Sequence, residues 1–174
     1  QFNQYTYSNL VPVLNKFNNK NISNVIIDLR NNPGGFLGEV VDVSQLFIQE
    51  GPIVHIKYKG DIQRTYFSKL KESKYKLVVL VNENSASASE IFAGAVQDRN
   101  AGTIIGTTTY GKGTVQQIIP LPNGDGMKLT IAEYLTPKGR NINKKGIQPD
   151  IILENKNITI DEQLNKAVEL LSKR

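Results

Sequence analysis

Cysteine and tryptophan are absent from this sequence of 174 residues, and histidine and methionine each occur once. Without cysteine the chain has no disulfides, no thiol nucleophile and no thiolate metal site. A catalytic triad of the serine–histidine–aspartate type would have to use the single histidine, His55. Since its neighbours alternate as in a strand, we interpret His55 as a surface or packing residue. Serine chemistry on this chain would then need another base.

Long apolar segments and a strong excess of one charge are also missing. No segment approaches the roughly 20 apolar residues of a membrane-spanning helix. The 21 basic and 16 acidic residues leave a net charge of +5, but few aromatics lie among the basic residues, so no nucleic-acid site is expected. The basic loop at 136–145 is interpreted as solvated, with an anionic surface or substrate as the alternative. No histidine or cysteine cluster exists and the carboxylates are dispersed, so neither a metal nor a cofactor is expected.

Strands and helices alternate along the first two-thirds of the chain, and hairpins follow. Apolar, β-branched segments predict buried strands at 25–30, 77–81 and 103–109. Helical spacing predicts helices at 9–17 and 37–49, through 91–95 to about 97, and at 161–171. Hairpins are predicted for 52–59 with 64–68, around Gly60 and Asp61, and for 114–121 with 127–134. This order predicts a mixed α/β domain.

Two details of the predicted helices are specific. Ser8 is expected to cap the first helix, with Pro12 in its first turn. The last helix is amphipathic, and its inward-facing residues are predicted to be Ile160, Leu164, Ala167, Val168 and Leu171.

One stretch combines a strand, a tight turn and a helix. The strand at 77–81 leads into residues 82–89, the serine turn, which contains Ser85, Ser87 and Ser89. Hydroxyls at the start of a helix lie beside unpaired N–H groups and the positive end of the helix dipole. Acyl-transfer nucleophiles occupy such turns because a developing oxyanion finds donors there. The alternative is that these serines only cap and pack the helix.

Two other turns contain glycine pairs. Residues 31–35, the glycine turn, read Asn-Asn-Pro-Gly-Gly, and glycines with positive φ expose N–H groups to a ligand. Residues 110–113, the lysine loop, place Lys112 between two glycines. Lysine serves as a base when burial favours its neutral amine. Taken alone, each pattern is more typical of an ordinary turn.

Four blocks of this sequence occur in a characteristic order: DLRNNPGG at 28–35, SASASEI at 85–91, YGKGTVQ at 110–116 and GIQPD at 146–150. In this order they resemble the carboxyl-terminal processing proteases, also called tail-specific proteases, over nearly the whole chain. The resemblance implies an α/β fold of the Clp-protease and crotonase type, a core of mixed sheet and helices with C-terminal hairpin strands. It also implies a serine endopeptidase that cleaves protein substrates near their C-terminus.

The resemblance assigns roles to particular residues. Ser87 is the implied nucleophile, Lys112 its base and Gln116 the residue that orients the lysine. The implied oxyanion donors are the backbone N–H groups of Ala88 and of Gly34 or Gly35. The strand at 114–119 would offer an edge to an extended peptide.

Members of this family usually carry a peptide-binding PDZ domain ahead of the core, and this chain begins where the core resumes. We therefore expect residues 1–174 to be a single isolated protease core. The implied partners are substrates with unstructured C-termini and the PDZ domain of the full-length protein. The implied location is extracytoplasmic, in the periplasm, cell envelope or an organelle lumen, and close to a membrane.

Two alternative functions remain: a weak or inert core that only binds peptides, and an acyl-transfer enzyme on this fold that handles a thioester.

Overall fold

The computed structural model describes residues 1–60, 62–156 and 159–173. These residues form four helices and eight strands. The helices are α1 (Thr6–Asn19), α2 (Leu37–Ser44), α3 (Ala88–Asp98) and α4 (Glu162–Ser172). The strands are β1 (Asn24–Asp28), β2 (Gly51–Tyr58), β3 (Gln63–Ser68), β4 (Lys76–Val81), β5 (Thr103–Gly106), β6 (Thr114–Pro120), β7 (Gly126–Leu135) and β8 (Ile151–Ile152). Among the described residues, no helix is long and apolar enough to cross a bilayer.

One sheet is parallel, with strand order β1-β4-β5-β8. Successive side chains of a strand point to opposite faces, and both faces of this sheet are covered. Leu77, Val79 and Val81 pack into the main core with α2 and α3, while Val78 and Leu80 pack against α4. Burial on both faces explains why the β4 sequence is apolar without alternation. The serine turn therefore begins at the end of a strand that the core holds on both sides.

The other sheet is antiparallel, with strand order β3-β2-β7-β6. The predicted hairpins are confirmed as the pairs β2–β3 and β6–β7, and β2 and β7 join them. Of the predicted first turn, Asp61 lies outside the described residues. Since β6 is the last strand in this order, one of its edges is open. The two sheets with their helices confirm the predicted mixed α/β fold.

The first helix differs from the prediction at its start. It begins at Thr6 with Tyr5 as its N-cap, and the Ser8 hydroxyl donates to the Tyr5 carbonyl oxygen at 3.1 Å. The assignment of Ser8 as the cap is therefore wrong, and Pro12 lies inside the helix rather than in its first turn. Pro12 lacks an N–H, so one helical hydrogen bond of α1 is missing at that position.

The last helix confirms the predicted inward face only in part. Leu164 and Val168 are 39% and 50% exposed, and Ile160 is 50% exposed, so their predicted inward position is wrong. Ala167 is fully buried and Leu171 packs against the same cluster, as predicted. The start of α4 is bonded to Arg30, described below.

Candidate active site

Ser87 occupies a strained position between the serine turn and α3. Its φ of 55° and ψ of −112° lie in a region that costs a residue with a side chain about 1–3 kcal/mol. Such a turn between a strand and a helix projects a side chain away from both elements. Ser87 also forms a capping box with Glu90. Its side chain lies at the N-terminus of α3, where the helix dipole favours negative charge.

The neighbouring serines have structural hydrogen bonds. The Ser85 hydroxyl donates to the Leu29 carbonyl oxygen at 2.7 Å, and the Ser89 hydroxyl donates to the Asn32 carbonyl oxygen at 2.9 Å. Both serines are fully buried. They fasten the serine turn to the end of β1 and to the glycine turn. The Ser87 hydroxyl donates to no backbone carbonyl among the described residues, which makes it the serine available for chemistry.

The glycine turn lies directly against Ser87. A Cβ placed on Gly34 would come 2.6 Å from the Ala86 carbonyl oxygen, 2.7 Å from the Ala88 nitrogen and 2.9 Å from the Ser87 Cβ. No side chain fits there, and the φ of Gly34, 97°, also favours glycine. The close approach brings the glycine backbone to the start of α3.

The three N–H groups implied as oxyanion donors differ in their present partners. The Gly34 N–H donates to the Asn32 side-chain oxygen at 3.0 Å. Within the described part of the chain, the N–H groups of Gly35 and Ala88 have no acceptor. The Ala88 N–H is one of the unpaired donors at the start of a helix. Among the described residues, the Ala88 and Gly35 N–H groups are therefore open to an acceptor, whereas that of Gly34 is occupied.

A buried carboxylate joins the serine turn to the lysine loop. One oxygen of Glu90 accepts from the backbone nitrogens of Ser87 at 2.8 Å and Lys112 at 2.9 Å. The other accepts from the Gly111 nitrogen at 2.7 Å and the Thr109 hydroxyl at 2.6 Å. Glu90 is fully buried, and four donors compensate for its loss of hydration. The shared oxygen makes the backbones of Ser87 and Lys112 close neighbours.

Sequence reasoning gave Glu90 no role, although a signal for it was present. Serine followed three positions later by glutamate is the capping-box pattern. That pattern predicts the bond from the Ser87 N–H to the carboxylate. It does not predict the three bonds to residues 109–112, because they depend on how distant segments meet.

The lysine loop packs closely on residues 143–146. The Lys144 N–H donates to the Gly111 carbonyl oxygen at 2.7 Å. A Cβ on Gly113 would lie 2.5 Å from the Asn143 nitrogen, so the glycine is needed for this contact. Lys112 itself is half-buried, and no hydrogen bond or ion pair holds its amine among the described residues. The amine is therefore not committed to a carboxylate.

Gln116 lies on the open strand β6 and is exposed. A register shift after Val115 pairs Val115 with Ala132 but Gln116 with Thr130. Such a bulge redirects a side chain, and it turns Gln116 to the face of β7 that carries Ala132 and Tyr134. The Gln116 side chain makes no hydrogen bond to the described residues, so its contact with Lys112 stays a prediction.

Tyr134 is buried next to the lysine loop, and sequence reasoning gave it no role. Burial raises the pKa of the Tyr134 phenol. The Tyr134 N–H donates to the Gly113 carbonyl oxygen at 2.8 Å, next to Lys112. A tyrosine within an apolar strand gives no local signal of such a contact.

His55 lies on the opposite face of the antiparallel sheet. It pairs with Leu135, whereas the adjacent Ile56 pairs with Tyr134. Because neighbouring residues of a strand face opposite ways, His55 points away from the Tyr134 side. Its Nε2 donates to the Pro137 carbonyl oxygen at 3.2 Å, and its Nδ1 lies 2.7 Å from the Thr65 hydroxyl. This agrees with the interpretation of His55 as a packing residue.

Arg30 links the end of β1 to the start of α4. Its guanidinium lies 2.6 Å from Asp28 and 2.8 Å from Asp161. These hydrogen bonds raise the pKa of Arg30 and hold the pKa of Asp161 well below its usual range. Asp28 and Arg30 therefore form an ion pair at the end of β1. Since Arg30 directly precedes the glycine turn, its bonds to Asp161 connect the start of α4 to that turn.

The chain is similar in sequence to known proteins. The sequence profile described as Peptidase family S41 matches residues 1–153. The chain is 36% identical to the carboxyl-terminal-processing protease of Synechocystis sp. over 99% of its own length and 42% of that protein. It is 38% identical to the carboxy-terminal processing protease CtpB of Bacillus subtilis over 88% of its own length and 32% of that protein.

A solved structure is similar as well. The photosystem II D1 C-terminal processing protease matches with a TM-score of 0.81 and 36% identity, over 88% of this chain and 40% of that one. The chain thus spans less than half the length of these relatives.

Proposed function

Because the chain belongs to peptidase family S41, we propose that it is the core of a serine endopeptidase in which Ser87 is the nucleophile and Lys112 the base. The observation that carries the proposal is the buried Glu90 carboxylate. It binds the backbone N–H groups of Ser87 and Lys112 with the same oxygen. Two residues that are distant in sequence are thereby held side by side at the N-terminus of a helix.

The proposed reaction is acyl transfer in two stages. Lys112 takes the proton of the Ser87 hydroxyl while the oxygen attacks the carbonyl carbon of the scissile peptide bond. The lysine then gives that proton to the nitrogen of the leaving amine, and the C–N bond breaks. In the second stage water, deprotonated by Lys112, attacks the acyl-enzyme, and the proton returns to Ser87 as the ester breaks.

The negative oxygen that forms at each stage needs donors already in place. The N–H groups of Ala88 and Gly35 are the proposed pair, since neither has an acceptor among the described residues. Gly34 contributes by its lack of a side chain, which lets the glycine turn approach Ser87. Its N–H would become a third donor only by leaving the Asn32 side chain.

The open edge of β6 is the proposed docking strand for the substrate. Its unpaired backbone groups can bind an extended peptide, which favours substrates with unstructured segments. Lys112 lies two residues before β6, so a peptide on this edge passes close to the lysine loop. Gln116, on the same strand, would then orient the lysine once the site is filled.

The wider context of the core is also part of the proposal. We propose that residues 1–174 act as one domain and that the full-length protein uses a PDZ domain to select substrates by their unstructured C-termini. Cleavage would then fall near the substrate's C-terminus. The names of the relatives, C-terminal processing proteases, support this substrate class. An extracytoplasmic location near a membrane is proposed on the same family resemblance.

The proposal is tested by covalent labelling and by cleavage. A fluorophosphonate probe should label the chain on Ser87, as mapped by peptide mass spectrometry, and the chain should cut unfolded casein. Ser87→Ala should lose both properties, and Ser89→Ala, which is also buried in the turn, should keep the label if circular dichroism shows a native fold. Labelling of Ser87→Ala on another serine would refute the assignment.

The rival functions give different outcomes of the same experiment. A core that only binds peptides would retain casein-derived peptides in Ser87→Ala and wild-type chains alike, with no cutting by either. An acyl-transfer enzyme acting on a thioester would release thiol from an acyl-coenzyme A analogue and leave casein intact. Cleavage by the wild-type chain that is lost in Ser87→Ala excludes both.

A further inference from the structure

The glycine turn needs anchors outside itself. Two successive glycines leave the backbone free to rotate, since glycine populates regions of φ and ψ that other residues avoid. Gly34 has a φ of 97° and Gly35 a φ of 155°. An N–H group in such a segment keeps one direction only if hydrogen bonds hold the peptide that contains it. The partners of these peptides therefore decide whether the Gly35 N–H can serve as a donor.

The N-terminal segment, residues 1–3, supplies two of these bonds. The Phe2 N–H donates to the Gly34 carbonyl oxygen at 2.9 Å, and the Phe36 N–H donates to the Phe2 carbonyl oxygen at 2.9 Å. Phe2 and Gly35 thus form a parallel bridge. A Cβ on Gly35 would collide with the Phe2 carbonyl oxygen, so only glycine lets the two backbones approach this closely.

The bridge fixes the direction of the Gly35 N–H. The described residues contain no cis peptide bond, and in a trans peptide the C=O and the N–H point in opposite directions. Because the Gly34 C=O points to the Phe2 N–H, the Gly35 N–H points away from the N-terminal segment. It has no acceptor among the described residues. Without the Phe2 bond this peptide could rotate and present its carbonyl oxygen instead of its N–H.

Phe2 itself is firmly held. Only 4% of it is exposed, and its ring belongs to the main core. After it, the Asn3 N–H donates to the Thr6 hydroxyl and the Thr6 N–H donates to the Asn3 carbonyl oxygen, each at 2.9 Å. The Tyr7 N–H, in the first turn of α1, donates to the Glu39 carboxylate of α2 at 3.0 Å. The segment is therefore fixed both at its ring and where it enters α1.

The glycine turn is also fastened to the serine turn. The Asn32 carbonyl oxygen accepts from the Ala86 N–H at 3.0 Å and from the Ser89 hydroxyl at 2.9 Å. These two donors lie on either side of Ser87 in the sequence. The glycine turn is thus bonded to the residues around the proposed nucleophile and, separately, to Phe2.

We propose that residues 1–3 are a positioning segment for the reaction, in which the Phe2 N–H holds the Gly34 carbonyl and so directs the Gly35 N–H towards the negative oxygen that forms at Ser87. The inference rests on the proposed function, in which Ser87 is the nucleophile and Gly35 an oxyanion donor. The segment takes no part in bond making. It acts through the orientation of one peptide, and a donor that is in place beforehand stabilises an oxyanion without reorganisation.

The direct test compares Phe2→Pro with Phe2→Val. Both variants lose the ring, but only proline lacks the N–H that holds the Gly34 carbonyl. Relative to Phe2→Val, we expect Phe2→Pro to lower kcat for unfolded casein and the rate of fluorophosphonate labelling by about a hundredfold, the effect of losing an oxyanion donor. KM should differ by less than about twofold, because the donor acts only in the transition state. Equal rates in the two variants overturn the inference.

A second pair of variants leaves the core ring in place. Phe36 is 59% exposed and has a φ of −73°, which is close to that of proline. Phe36→Pro removes the N–H that donates to the Phe2 carbonyl oxygen, whereas Phe36→Ala removes the same exposed ring and keeps the N–H. We expect kcat to be about tenfold lower in Phe36→Pro than in Phe36→Ala. This pair decides the question if the Phe2 variants lack a native circular dichroism spectrum, and equal kcat values overturn the inference.

A third measurement does not depend on turnover. The fluorophosphonate adduct places a phosphoryl oxygen where the oxyanion would form, so the Gly35 amide proton of the labelled wild-type chain should move downfield in its NMR spectrum as it gains an acceptor. The shift should be smaller in labelled Phe36→Pro than in labelled Phe36→Ala. Gly124, in the turn between β6 and β7, provides the control signal and should not move. No shift in the wild-type chain, or equal shifts in the two variants, contradicts the proposed orientation.

The two proposals fail separately. If Ser87→Ala is inactive and the proline variants match their references, the proposed function stands and the role of the N-terminal segment falls. If Ser87→Ala still cleaves casein, the proposed function falls. The Gly35 amide signals of unlabelled Phe36→Pro and Phe36→Ala then still show whether the bridge orients this peptide.

Discussion

The serine turn and strand β6 each carry a residue with a proposed catalytic role, but the rest of the molecule holds them very differently. Residues 85–90 are all buried, and their side chains bind the end of β1, the glycine turn and the lysine loop. In β6, residues 116–118 are exposed, and the Gln116 side chain makes no hydrogen bond within the described part of the chain. The proposed nucleophile is therefore preorganised by the fold, whereas Gln116, the residue proposed to orient Lys112, lies where a bound substrate could order it.

Substitution of the base should give the largest effect. Lys112→Arg keeps a positive charge but does not supply a neutral amine, so we expect turnover of unfolded casein to fall about a thousandfold or more. Circular dichroism should show a native fold. Lys145→Arg, in the exposed segment that packs on the lysine loop, is the matched control and should keep full activity. Substantial turnover by Lys112→Arg would mean that another group is the base.

Glu90→Gln tests the link between the serine turn and the lysine loop. The amide replaces one accepting oxygen with a donor, so at least one of the four bonded groups faces an N–H instead of an acceptor. Breaking a buried network of this kind should cost about 2–4 kcal/mol of unfolding free energy, measured by urea denaturation. Glu83→Gln is the control, since the exposed Glu83 carboxylate accepts one hydrogen bond among the described residues, from the Thr107 hydroxyl. Equal stability of the two variants would contradict the role of Glu90.

Gln116→Ala tests the exposed strand β6, the other region of the comparison. Its side chain is exposed and unbonded, so the unfolding free energy should change by less than about 0.5 kcal/mol. If it orients Lys112 only in the presence of substrate, kcat should fall about tenfold. Gln117→Ala, on the opposite face of the same strand, should leave kcat unchanged. A loss of stability in Gln116→Ala would show that β6 is already organised around it.

The smallest effect is expected at the ion pair that supports the glycine turn. Asp161→Asn weakens the contact with Arg30, and because the Asp161 side chain is 36% exposed the loss should be only about 0.5–1 kcal/mol at pH 7. Hydrogen bonding holds the folded-state pKa of Asp161 below its usual value. Its contribution is therefore complete above the ordinary aspartate pKa of about 4.

That contribution disappears as the pH falls from about 4 towards the lowered value. Urea denaturation of both chains at pH 7 and at acidic pH measures it. A difference between the chains that grows on acidification would contradict the assignment.

Local sequence patterns were enough to predict much of the fold of this protein. The buried strands, both hairpins and the mixed α/β class follow from periodicity and turn residues, because these depend on neighbours in sequence. The four motif blocks were sufficient to single out Ser87, Lys112 and the glycine turn. The capping-box spacing of Ser87 and Glu90 was also readable, since it concerns one helical turn.

Contacts between distant segments were decided only by the tertiary structure. Helical periodicity selected Ala167 and Leu171 of α4 correctly but also Leu164 and Val168, which are exposed, because the rotation of the helix depends on its packing against the parallel sheet. The Glu90 carboxylate gathers donors from the serine turn and from residues 109–112. A sequence specifies which residues can bond. Which of them meet is set by how the sheets and helices pack, because hydrogen bonds act only over about 3 Å.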